Sequence, residues 1–187
     1  MRRTAQFLTA VAAATALGAA PAHATPAHAT PATATTSAAD RPGPGRALGW
    51  EPAPSAPWDV TAGQRCDFAI HGEPVVDEVV QRVLDRHPDG SPKRVAYKGD
   101  LVVRVTNQET GAFHDADASG SAIVEYRTDG SQFWSVLGPV LVGVGEGNLD
   151  RGMYLVDGVW TLFISASGHR TVTMAHGTTT DICGLIA

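Results

Sequence analysis

From Cys66 onward, apolar and polar residues alternate with a period of two, the signature of strands buried on one face. Cys66, Phe68 and Ile70 alternate with Asp67, Ala69 and His71. Leu101, Val103 and Val105 alternate with Val102, Arg104 and Thr106. Val124 and Tyr126 alternate with Glu125 and Arg127. Asp129 and Gly130, inside Thr128–Ser131, predict a tight hairpin into a strand over Gln132–Leu137, because Gly accepts the positive φ such turns need. Asp157 and Gly158 predict a second hairpin of the same kind between Gly152–Val156 and Val159–Ser165. Ser167, Gly168 and His169 then turn the chain into Arg170–His176, where Val172 and Met174 oppose Thr171 and Thr173. Residues 178–185 complete the pattern as a last short strand carrying Cys183.

One segment fits two periods. In Val75–Leu84 the apolar residues are 75, 76, 79, 80, 83 and 84, a helical spacing with Pro74 suited to a first helical position. Five of those six are Val, which favours strands, and the turn His87–Gly90 leads into more strand pattern. The reading is a strand, with a short helix as alternative. Gly138–Gly147 is Gly-rich yet carries Val140, Leu141, Val142 and Val144. It reads as a flexible loop or irregular strand capping one end of the fold or gating a cavity. Short turns make sequence neighbours antiparallel neighbours in space. The fold class is therefore all-β, an antiparallel meander of about eight or nine strands closing into a β-barrel, which removes exposed edges. An aligned β-sandwich is the alternative.

The first residues follow other rules. Arg2 and Arg3 precede an uncharged, Ala-rich stretch from Phe7 to Ala20, and Ala22, His23 and Ala24 form an A-x-A cleavage site. Residues 1–24 are expected to be a secretory signal peptide, too short and Ala-rich for a membrane span. The paired Arg residues leave general and twin-arginine export both open. Pro21–Thr25 repeats as Pro26–Thr30, and Pro42, Pro44, Pro52, Pro54 and Pro57 follow. Residues 25–57 are therefore expected to be a disordered tether, and 58–187 a single β-rich domain. No Cys precedes Cys66, so no lipid anchor or other stable membrane anchor is expected, and the product should be secreted after cleavage near Ala24. Trp58 is expected to pack on the domain edge; Trp50 has no assigned place.

Export changes how the cysteines read. Cys66 and Cys183 are the only two, and in an oxidising compartment an even count implies a disulfide rather than a reactive thiol or metal pair. The bond demands Cα atoms about 5–6 Å apart, which would place the first and last strands side by side or face to face.

Charge narrows the partners. The full chain has 14 basic and 19 acidic residues, a formal charge of −5. Loss of residues 1–24 removes Arg2 and Arg3 and no acid, leaving 12 basic against 19 acidic, or −7. No basic run exists, so neither nucleic acid nor an anionic membrane surface is an expected partner.

Three stretches carry the pattern further: Cys66-Asp-Phe68 near the domain start, Gly99–Gly111 in mid-chain, and Thr180–Ala187 at the end. Together they resemble a group of uncharacterised secreted actinobacterial proteins with a small β-domain and a cysteine pair spanning it. The resemblance covers residues 64–187. It implies the disulfide, an all-β fold and a strand over 75–84, and it implies no activity.

Candidate chemistry is sparse. Asp115, Asp117, Ser119 and Gly120 match the first half of a calcium loop, but the twelfth position is Tyr126 and Glu125 sits one residue early. A polar strand edge and turn is the preferred reading, and no metal ligands are assigned. His71, His87, His114, His169 and His176 form no H-x-H or H-E-x-x-H pattern. His87 and His169 fall in turns and are expected to be solvated, whereas His176 shares parity with Val172 and Met174 and could point inward. No nucleophile elbow, phosphate loop or dinucleotide fingerprint occurs, so no catalytic residue and no cofactor is assigned. Phe133 and Trp134 are adjacent and must face opposite ways.

These readings predict a non-enzymatic secreted barrel that binds a small apolar ligand or a cell-surface partner. An enzyme of cyclase or isomerase type is one alternative, and an interaction module without a cavity another. A hollow interior favours the first two; a buried His or carboxylate beside Trp or Tyr favours the enzyme; an exposed apolar patch around Trp favours the module.

Overall fold

The protein is described by a computed structural model over residues 49–187; the expected signal peptide and the expected tether up to residue 48 lie outside the described residues. The described chain is almost entirely strand: β1 (Glu51–Pro52), β2 (Trp58–Val60), β3 (Ile70–Asp77), β4 (Val80–Arg86), β5 (Pro92–Lys98) and β6 (Leu101–Asn107). There follow β7 (Phe113–Asp117), β8 (Ser121–Tyr126), β9 (Gln132–Leu137), β10 (Val140–Val144), β11 (Gly152–Ile164), β12 (Arg170–Asp181) and a four-residue helix α1 (Ile182–Leu185). The first strand thus begins inside the stretch that composition assigns to the tether. No helix among the described residues is long and apolar enough to cross a membrane.

The strands form two open antiparallel sheets. The larger runs β1-β4-β5-β8-β9-β11, with β12 on the other side of β11; the smaller runs β2-β3-β6-β7. The chain passes between them without losing register. Asp77 faces Leu101 in the small sheet and Val80 faces Lys98 in the large one, bridged by Glu78 N–H donating to Asp100 O. Val102 faces Asp117 below the crossing and Tyr97 faces Ala122 above it.

Neither sheet closes, which corrects the barrel expectation in favour of sandwich-like packing. The reason lies at the outer edge of β12, which in a barrel would meet the first strand. A loop occupies it. Arg170 N–H donates to Glu146 O at 2.8 Å, and the Asn148 side chain accepts from Val172 N–H at 2.8 Å while donating to Val172 O at 2.7 Å. Asn148 thereby supplies the hydrogen bonds a neighbouring strand would have made.

The Asp157-Gly158 expectation is also corrected. These residues lie inside one continuous strand, β11, paired with β12 along its length and on its other edge with β9 and then β10. Gly158 does adopt positive φ, but at a bend: a Cβ there would lie 2.1 Å from His176 O. The true turns differ by one residue. Asp89 and Asp129 are each followed by Gly and then Ser, and each carboxylate accepts from that Ser's N–H and hydroxyl. Val159 offers no such bond.

The bend explains Gly138–Gly147. β10 and the first half of β11 lie between two cores. Val142, Val144 and Val156 pack with Val124, Val136, Trp160, Leu162 and Val172 in the first core. Leu141, Met153 and Leu155, on the opposite face, pack with Ile70, Val103, Val105, Ala116, Ile182 and Ile186 in the second. A strand buried on both faces has no polar face to show, so its alternation disappears.

The segment 75–84 is the end of β3 and the start of β4, joined at Glu78 and Val79, and its helical spacing has a cause. Val75 and Leu84 are the extra residues of irregularities between Pro74 and Val76 and between Val83 and Asp85. Each adds one position to a period of two, producing paired apolar neighbours.

Cys66 and Cys183 are bonded, with Cα atoms 5.4 Å apart. The bond joins the turn before β3 to α1, not two strands, because β12 ends at Asp181, whose carboxylate caps the helix by accepting from Cys183 N–H at 3.0 Å. Beside it, buried Asn107 donates from its side chain to Ile186 O at 3.0 Å.

Candidate functional site

The layer formed by β10 stops short of the β5 side of the large sheet. There the interior is not filled, and a partly open recess of about 390 Å³ remains. One wall comes from the large sheet: Tyr97, Ala122, Tyr126 and Trp134, inward because they share parity with the first core. The facing wall is Leu101, Val103 and Trp58. Trp58 can lie there because its cross-strand partner is Gly72, where a Cβ would come within 2.2 Å of the indole. Ala53 and Ser55 close one side, anchored by Ala53 N–H to Val79 O at 2.9 Å and Ser55 N–H to Asp77 Oδ2 at 2.6 Å.

The Tyr97 and Tyr126 hydroxyls lie 2.9 Å apart. Both residues also line a second, more polar recess of about 670 Å³ with Arg86, His87 and Asp89 at its mouth. The pair therefore stands between the apolar chamber and this more polar recess. Burial, and then the Tyr97 hydroxyl, push the Tyr126 pKa above the ordinary tyrosine value. Tyr126 is accordingly a neutral phenol. His87 Nε2 lies 2.9 Å from Tyr126 O; a carbonyl only accepts, so that nitrogen carries the proton. This corrects the expectation that His87 is simply solvated. Trp134 Nε1–H is engaged by Gln132 Oε1 at 3.0 Å, so Trp134 offers the chamber only carbon.

The outer face of the large sheet carries a second feature. Ile123, Leu137 and Val159 stand exposed there, Leu137 at 63%. They line a shallow groove of about 530 Å³ that ends at Trp50. The Lys98 ammonium sits 4.4 Å from the Trp50 ring centroid, which gives that tryptophan its place.

The remaining candidates do not converge. The calcium-like oxygens have other partners: Asp115 takes both branches of Arg104 at 2.8 Å, and Asp117 accepts from Ser119 N–H at 3.1 Å. The Arg104 hydrogen bond holds the Asp115 pKa below its ordinary value. His71 Nδ1 meets Asp59 at 2.9 Å on the small sheet, far along the chain from His169 in its exposed turn. His176 is exposed, correcting the inward expectation: a register shift beside Trp160 leaves Ala175 unpaired and reverses the parity. Among the described residues no three His, Cys, Asp or Glu side chains are grouped to hold a metal. Trp134 is the inward member of its pair, and Phe133 lies on the opposite face beside Phe163.

Sequence reasoning missed the tyrosine pair. The two lie 29 positions apart, and only the pairing of β5 with β8 brings them together. Their shared inward parity was the available signal.

Fold and recess together define a disulfide-stapled, all-β domain with a partly open aromatic chamber. The chain matches no protein-family profile, no curated protein and no solved structure.

Proposed function

We propose that the domain is a non-enzymatic, secreted binding protein that takes a small apolar ligand into the chamber between Trp58 and Trp134. The observation carrying this reading is the unfilled volume of about 390 Å³ between the two sheets, walled mostly by aromatic and aliphatic side chains. The disulfide suits an oxidising, extracellular setting. The cyclase or isomerase alternative requires a His or carboxylate within the chamber, and its lining contributes neither. Binding of a cell-surface partner on the outer face is the second reading, favoured by exposed Ile123, Leu137 and Val159 beside Trp50. The resemblance to the actinobacterial group noted above agrees with secretion and adds no ligand.

The test is titration of the mature protein with an apolar fluorophore such as aminoanthracene, read together with quenching of tryptophan emission. One molecule should bind per chain. Ala122→Leu, which fills the chamber floor, should weaken binding at least about tenfold in protein that still melts cooperatively. Absence of binding, or binding indifferent to Ala122→Leu, would exclude the chamber as the site.

A further inference from the structure

We infer that the Tyr97–Tyr126 pair is the specificity element of the chamber, selecting an apolar ligand that carries one hydrogen-bond acceptor such as a carbonyl or ether oxygen. The inference rests on the chamber reading above and names the ligand class for that site.

The argument is a proton count. Two phenols 2.9 Å apart share one hydrogen bond, which uses one O–H as donor. The other phenol accepts that bond and keeps its own O–H. Among the described residues that remaining proton has no partner, and both tyrosines line the chamber. The phenol that donates is polarised by doing so, and the one that accepts becomes a better donor in turn. Tyr126 is held in position from behind by the His87 hydrogen bond to its carbonyl. A rigid, neutral donor in the wall of an apolar chamber discriminates against ligands without an acceptor. It also discriminates against ligands whose only polar group is a donor, because leaving the phenol proton unpaired in a filled chamber carries the desolvation cost of a buried polar group. Rival donors line the chamber too: the Trp58 indole N–H, the Ser55 hydroxyl and the Lys98 ammonium. Removal of the phenols separates them from the pair.

The experiment compares two probes of one shape, 2-acetylnaphthalene and 2-ethylnaphthalene, on the mature disulfide-bonded protein. The ketone should bind about tenfold more tightly than the hydrocarbon. Either single variant, Tyr97→Phe or Tyr126→Phe, should keep part of this preference, since one hydroxyl remains to donate. The double variant should lose it while its affinity for the hydrocarbon stays unchanged. In the wild-type complex the ketone carbonyl stretch should move to lower frequency, a readout that needs no variant. Equal binding of both probes by wild type would overturn the inference and leave the chamber reading intact. Binding of neither would overturn both. A preference that survives in the double variant would place the donor at Trp58, Ser55 or Lys98 instead. Loss of hydrocarbon binding in a folded double variant would make the pair a wall and nothing more.

Discussion

The two cores solve the same problem by different means. The first is built under the large sheet mostly from valines around Trp160, which is only 2% exposed. The second lies between four short strands and the other face of β10 and β11, and gathers Ile70, Val103, Val105, Ala116, Met153 and the two helix-end isoleucines. The second core carries the covalent staple, the Cys66–Cys183 bond, and beside it the buried Asn107 side chain. A small sheet removes too little apolar area from water to offset chain entropy comfortably. The cross-link lowers the entropy of the unfolded chain instead. The chamber lies where the two cores meet, walled by Tyr97, Tyr126 and Trp134 from the first and by Trp58, Leu101 and Val103 from the second. The contrast teaches which part of this domain depends on its cross-link.

The contrast can be broken most decisively at the disulfide. Its loop separation of 117 residues implies about 4–5 kcal/mol of stabilisation in the chain-entropy model. Reduction should therefore lower the urea midpoint strongly, and hydrogen exchange should rise first in β2, β3, β6, β7 and α1. Coincident melting of oxidised and reduced protein, or exchange rising first in β8 and β9, would remove the distinction between the cores. Trp160→Ala comes next, with an expected loss of about 3–5 kcal/mol from the cavity left in the first core. A cost under about 1 kcal/mol would mean that this core is loosely packed throughout. Asn107→Ala should cost about 1–3 kcal/mol, because Ile186 O is left without its donor and the turn N–H groups of Glu109 and Thr110 lose their acceptor. Equilibrium unfolding of the variant measures it; a neutral result would show the polar staple to be dispensable.

The smallest effect is one of pH. The Ser131 hydroxyl and N–H hold the Asp129 pKa below its ordinary value, and Ser91 does the same for Asp89. A carboxyl depressed in the folded state stabilises fully above its unfolded pKa, near about 4, and that contribution is lost as pH falls through the lower folded value. The β4–β5 and β8–β9 turns should loosen together on acidification below about pH 4. Asp129→Asn should flatten the acid limb slightly, read by thermal melts across a pH series. An unchanged limb would show that these turns do not couple to global stability.

Much of the fold was legible because a strand's period of two is a local property. The strands around Val103, Val124 and Val172 and the turns at Asp129 and Ser167 follow directly from it. The His176 orientation failed because a single unpaired residue, Ala175, inverts parity without changing composition. The Asp157-Gly158 hairpin failed because Gly supplies positive φ equally to a turn and to a bend, and only the missing Ser afterwards distinguishes them. The chamber was not legible at all, since its walls come from residues as distant as Trp58 and Leu141.

Local alternation, turn chemistry and cysteine count were sufficient for an antiparallel, disulfide-bonded β domain, because each acts over a few residues or through one covalent bond. Open sheets rather than a barrel, β10 buried on both faces, and two phenols meeting in a chamber wall depended on long-range contacts. Those contacts are set by which edges and faces remain free once the strands have formed, and no short window of sequence contains that information.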